Sequence, residues 1–130
     1  MEESGYGEHF DGMDFDWFAV DTSGEIGLFA SSGYGEIPLE VRRNFQAYDT
    51  ITSGFILPRL GTSAVWKDYA WYGLFVYDWL HYSGPYIKQA EPVILSSRIH
   101  ADLRKRILAI PGLPHLNVLF STAREVVIQR

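Results

Sequence analysis

The residues best suited to chemistry are one glycine pair, two neighbouring aspartates, four histidines and a few paired serines. Gly33-Tyr34-Gly35 sits between an apolar run and Pro38. A phosphate-cradling loop needs GxxxxGK[ST], and a dinucleotide site needs GxGxxG opening a helix. Here Glu36-Ile37-Pro38 follows, with no lysine and no third glycine. Glu36 and Glu40 would repel a phosphate at a helix start, although they suit the helix dipole. The loop reads as a release from strand into helix. Asp14 and Asp16, two apart, would share a strand face, as paired carboxylates for acid–base work must. A calcium loop fails because Phe18 stands where its third acid belongs. Solvated strand or loop acids are the better reading. His9, His81, His100 and His115 form no HExxH and no i, i+4 pair, so no zinc signature is present. No GxSxG elbow occurs, and Ser31-Ser32 and Ser96-Ser97 read as loop and helix-cap residues. With no cysteine there is no thiol nucleophile, disulfide or Cys-type metal site. No catalytic residue, metal ligand or cofactor is assigned.

Aromatic residues and charge carry more. Trp66, Tyr69, Trp71, Tyr72, Phe75, Tyr77, Trp79, Tyr82 and Tyr86 crowd 21 residues. Much of this set must be core, yet Tyr and Trp are also favoured anchors at protein interfaces. Residues 1–41 hold ten acids and no Lys or Arg, near −10; the remainder holds six acids and all eleven bases, near +5. Two readings stay open: the parts neutralise each other inside the fold, or the acids steer a basic partner. The bases form no stripe with interleaved aromatics, which disfavours nucleic acid. No apolar run reaches 18 residues, so no membrane span is expected. The acidic start lacks the apolar stretch of a secretory signal, and the cytoplasm is the expected compartment.

These side chains need a scaffold, and 130 residues suit one domain with a substantial core. Residues 1–13 read as a flexible acidic N-terminus. Over 14–31, Phe15, Trp17 and Ala19 alternate with Asp16, Phe18 and Val20. A Ser23-Gly24 turn then leads to Ile26, Leu28 and Ala30, which predicts a β-hairpin. Pro38 suits a first helical turn, and Val41, Phe45, Tyr48, Thr52 and Phe55 predict one helix over 38–56. Residues 62–72 are ambiguous. Residues 73–80 and 85–95 read as strands around Ser83-Gly84. A second helix, capped by Ser96 or Ser97, presents Ile99, Leu103, Ile107 and Ile110 and stops at Pro111-Gly112. Two short strands, 116–121 and 124–128, end the chain. The expected fold is a single α+β domain, a mainly antiparallel sheet of hairpins with two covering helices.

Phe15-Asp16-Trp17-Phe18-Ala19-Val20-Asp21, then Gly24, Ile26-Gly27-Leu28-Phe29 and Ser32-Gly33 to Ile37-Pro38, form one part of a wider pattern. Gly73-Leu74-Phe75-Val76-Tyr77-Asp78-Trp79, with Tyr86 and Pro92, continues it. Together they resemble small bacterial immunity proteins of polymorphic or contact-dependent toxin systems. The resemblance spans most of the chain and is a pattern of core and turn positions. It implies a cytoplasmic, non-enzymatic antidote that binds a cognate toxin protein and blocks its active site or substrate access. Turns and strand ends are the exposed positions, so Glu25, Tyr34, Glu36, Tyr72, Asp78 and Trp79 are the candidate partner-binding residues. The alternatives are a small metal- or carboxylate-dependent enzyme and a non-enzymatic adaptor module.

Overall fold

In the computed structural model, which describes residues 14–92 and 98–128, alternation around Trp17 yields the expected hairpin. Strand β1 (Asp16–Val20) pairs antiparallel with β2 (Ile26–Ala30), Asp16 opposite Ala30 and Val20 opposite Ile26. Asp21 builds the turn. Its carboxylate accepts the backbone N–H groups of Ser23 (2.9 Å), Glu25 (2.8 Å) and Phe120 (2.8 Å). Burial pushes this carboxyl up, but those N–H donors more than offset it and hold it below the usual range.

Residues 38–56 form two helices rather than one. Helix α1 (Leu39–Arg43) stops at Asn44, whose backbone leaves the helical region at φ −119° and ψ 27°, and α2 (Phe45–Thr52) restarts from it. The Asn44 amide donates to the Glu40 carbonyl (2.9 Å), the kind of local side-chain bond that competes with helix propagation. The ambiguous stretch becomes α3 (Val65–Trp71). Strands β3 (Phe75–Trp79) and β4 (Tyr86–Ala90) form the second hairpin, and α4 (Arg98–Leu108) follows. Only Glu125–Val126 (β5) remains of the two terminal strands predicted, and residues 116–121 are not a strand. The predicted N-terminus and the Ser96 or Ser97 cap lie outside the described residues.

The sheet order is β1-β2-β3-β4-β5. Three pairings are antiparallel, and β2–β3 is parallel because α1–α3 occupy the long connection that parallel neighbours require. The chain is thus a single α+β domain with a mainly antiparallel, curled sheet, carrying four helices among the described residues where two were expected. One face, through Phe18, meets Tyr48 of α2 and Phe55, with ring centroids 6.1 and 6.3 Å away. The other face carries Trp17, Phe29 and Tyr77, stacked in sequence at 4.6 and 5.0 Å.

A strap of irregular chain covers that second face. It starts at the β1 edge, where Val20 N–H donates to the Pro114 carbonyl and Leu116 N–H to the Val20 carbonyl. It then places Phe120 against Phe29 and Tyr77 and ends as β5 beside β4. The Tyr77 hydroxyl donates to the strap at the Ala123 carbonyl (2.5 Å). Within 116–121 the strap's N–H groups reach β1 and its turn singly, Leu116 to the Val20 carbonyl and Phe120 to the Asp21 carboxylate, so it touches β1 at one isolated bridge and forms no ladder.

Tyr86 draws β4 back toward β1. Its hydroxyl accepts from Trp17 Nε1 (3.2 Å) and donates to the Glu36 carbonyl (2.8 Å). Tyr86→Phe keeps the ring but removes both bonds in a buried setting. Stability should fall by about 2 kcal/mol, read as a lower urea midpoint at unchanged m-value. An unchanged midpoint would show that the curl does not rest on this hydroxyl.

Candidate binding groove

Because β2 and β3 run parallel, their C-terminal ends lie at the same end of the sheet. The segments that leave them form the candidate site. After Ala30 the chain turns sharply. Ser32 takes φ 54° and Gly33 φ 88°, while Tyr34 and Gly35 N–H groups both donate to the Ser31 carbonyl. Gly35 lets the loop settle on Tyr86: a Cβ there would stand 2.6 Å from the Tyr86 hydroxyl. The turn therefore throws Tyr34 outward, 66% exposed.

The β3–β4 hairpin supplies the opposing wall. Trp79 packs edge-on to Tyr86 (4.9 Å), and its indole N–H donates to the Tyr82 carbonyl (3.2 Å). Gly84, at φ 78°, lies so close under the indole that a Cβ would fall 2.2 Å from it. Tyr82 at the hairpin tip is 84% exposed and meets Tyr34 with ring centroids 5.7 Å apart. Tyr34, Glu36, Trp79, Tyr82, Pro85 and Val127 line a groove of about 470 Å³.

A cluster of acids marks the same end of the sheet on its helix-covered side. Asp16, Ala30 and Asp78 are opposite one another across β1, β2 and β3, so their side chains project to one side. The backbones of Asp16 and Asp78 are then two strand spacings apart, roughly 10 Å. Among the described residues no group of three or more His, Asp or Glu is placed to hold a metal ion. Ser32 is held between the acids, its N–H on Asp14 (3.1 Å) and its hydroxyl on Asp78 (2.8 Å). Tyr69 of α3 donates to Asp16 (3.0 Å), binding that helix to the sheet edge. Burial first, then the Asp14 carboxylate, push the Asp16 carboxyl up to about 7; Asp78 adds to the rise and Tyr69 opposes it. Asp78 is also raised, by burial and Asp14, against the Ser32 and Trp79 hydrogen bonds. The Asp16 carboxyl can therefore exchange a proton in the neutral range.

The six residues chosen from the sequence divide by position. Tyr34, Glu36 and Trp79 meet in the groove; Asp78, expected to be exposed, is buried in β3 with the Ser32 hydroxyl on its carboxylate and does not line the groove. Glu25 precedes β2 and Tyr72 precedes β3, so parallel pairing puts both at the opposite end. Tyr72 packs on Phe55 (4.7 Å) and accepts the Ile56 N–H. Tyr82, Pro85 and Val127 were not chosen; the Ser83-Gly84 turn signal beside Tyr82 was the available clue. Among the described residues no helix is long and apolar enough to cross a membrane. The chain matches no protein-family model, no curated protein and no solved structure. The immunity-protein resemblance therefore rests on the residues that suggested it.

Asp16 gives a pH test. A carboxyl with a raised folded-state pKa adds stability that is fully present below its unfolded value, 3.8, and is lost as pH rises through about 7. Asp16→Asn keeps an acceptor for Tyr69 and removes the ionisation. Its melting temperature should exceed the parent's by several degrees at pH 8 and by clearly less at pH 4.5. An equal difference at both values would show that Asp16 ionises normally.

Proposed function

We propose that this protein is an immunity protein that binds a cognate bacterial toxin domain in the cytoplasm and blocks its active site or substrate access. The observation that carries the reading is the pair of exposed tyrosines, Tyr34 and Tyr82, in mutual contact on a groove backed by Trp79. Large amphipathic rings left in water lose little rotamer freedom when covered and bring large contact area. This is why Tyr and Trp dominate the energetics of protein interfaces. Nothing about folding asks for these two rings to be outside.

Charge supports the same reading. The first 41 residues carry ten acids and no base, and Glu36 comes from that segment to the groove. An acidic approach surface speeds encounter with a basic toxin domain, while the aromatic anchors set the lifetime of the complex. Blocking by occupancy requires no catalytic group on the antidote.

Co-expression with a toxin domain encoded by a neighbouring gene should protect cells, and the two chains should co-purify. Tyr34→Ala combined with Tyr82→Ala should weaken the complex roughly 30-fold or more, the loss of at least about 2 kcal/mol of hot-spot energy, with folding unchanged. Glu36→Lys should slow association and flatten its salt dependence more than Glu25→Lys at the far end does. A protein that neither protects nor co-purifies is not an immunity protein for that toxin, and the proposal then fails.

A further inference from the structure

The groove has a chemistry more specific than apolar. Its aromatic side chains are Tyr34, Trp79 and Tyr82; among its described lining residues Glu36 is the only carboxylate and none is Lys, Arg or His. The tyrosine rings touch at 5.7 Å, so no side chain passes between them; an incoming group must lie against them. Among the described residues, the charges that act on the Tyr86 phenol beneath the groove are all acidic. Burial is the main reason that the Tyr86 phenol is pushed up, and Trp17 N–H opposes it. The carboxylates of Glu36, Asp78 and Asp16 all add to the rise. Asp14 acts in the same direction on Asp16 and Asp78. Four acidic residues from three segments thus gather at one end of the sheet; Glu36 lines the groove itself, while Asp16, pushed up to about 7, and Asp78 lie on the helix-covered side.

A flat, weakly hydrated cation satisfies both features. Guanidinium stacks on an aromatic ring while its N–H groups stay free, in plane, for carboxylate or carbonyl acceptors. An ammonium is a compact, strongly hydrated charge without a face to stack. A neutral planar group would stack but gain nothing from the carboxylates. We infer that the Tyr34–Trp79–Tyr82 groove is a recognition site for an arginine side chain presented by the protein partner. This rests on the binding function proposed above and adds the chemistry of the contact: one arginine laid across the tyrosines within the field of the acids.

The test uses the full chain and three capped tripeptides, acetyl-Gly-X-Gly-amide, with X as arginine, lysine or citrulline. Citrulline keeps the planar shape and loses the charge. Titrations are followed by ¹H–¹⁵N NMR at the Trp79 indole N–H and the amides of Tyr82 to Gly84. The arginine peptide should shift these signals saturably and bind more tightly than either other peptide. Its binding should weaken as salt rises. Tyr82→Ala should weaken it by about two- to five-fold, the span of an exposed cation–aromatic contact, and Tyr34→Ala should do likewise. Both residues are exposed, so folding is not at stake, and matching spectra elsewhere confirm that. Equal binding of arginine and citrulline overturns the inference, as do equal binding of arginine and lysine and shifts confined to other surfaces. The two readings fail separately. Arginine binding without any toxin complex spares this site and removes the immunity function. A toxin complex whose affinity survives both tyrosine substitutions does the reverse.

Discussion

The hydroxyl of Tyr86 holds together parts of the chain that no local rule connects. It accepts from Trp17 in β1 and donates to the Glu36 carbonyl beyond β2, while its own strand, β4, is three positions from β1 in the sheet. A flat sheet would separate those strands by about 14 Å, so with side chains standing off the sheet its curl is what brings the two groups together. Curling in turn is possible because the concave face is filled by flat rings. Phe29 lies between Trp17 and Tyr77, with Tyr86 edge-on to it at 5.1 Å. The strap then closes this face with Phe120. One phenol thereby fixes sheet curvature, the position of the Gly35 loop and, through Trp79 against its ring, the inner wall of the groove.

The acid end of the sheet pulls against that order. Burial and the Asp14 carboxylate make Asp16 and Asp78 harder to ionise, with Tyr69 bonded to Asp16 and Ser32 to Asp78. Elsewhere the chain manages buried acids at lower cost. Asp21 is surrounded by backbone N–H donors, and Asp68 takes the Arg59 guanidinium at 2.6 Å. The contrast shows that the fold has the means to neutralise a carboxylate and does not spend them here. Local conflict of this kind is where sequences depart from what stability alone would choose.

What could be read from sequence follows from what is local. Alternation and a Ser-Gly turn specify the first hairpin because every pairing in it closes within a few residues. The helix predicted over 38–56 fails at Asn44 because periodicity of Val41, Phe45 and Tyr48 survives a break that keeps all three on the buried side. The parallel β2–β3 pairing has no local signature; it is decided by where α1–α3 pack. Residues 116–121 carry β-prone side chains, but their backbone partners, Val20 and Asp21, are about a hundred residues away in sequence. The site divides the same way. Turn and strand-end residues could be picked as Tyr34, Glu36 and Trp79, of which Tyr34 is exposed and the other two are half-buried. Which turns share an end depends on the parallel pairing, so Glu25 and Tyr72 could not be told apart from them, and Tyr82 could not be joined to Tyr34.

That dependence also explains why the groove is suited to binding. An exposed ring on a floppy loop would have to be ordered on association, at a cost of about 0.5–1.5 kcal/mol for each side chain immobilised. Here the tip is tied before any partner arrives. Trp79 N–H holds the Tyr82 carbonyl, Gly84 N–H holds the His81 carbonyl at 2.8 Å, and Gly84 is packed against the indole too tightly for any side chain. On the other wall, Gly35 and Ser32 fix the loop that bears Tyr34 through Tyr86, Asp14 and Asp78. Two loops from different strands are therefore fastened to one sheet end, both of them against Tyr86. Their aromatic tips meet because the sheet holds them there, and their exposure is a property of the folded scaffold.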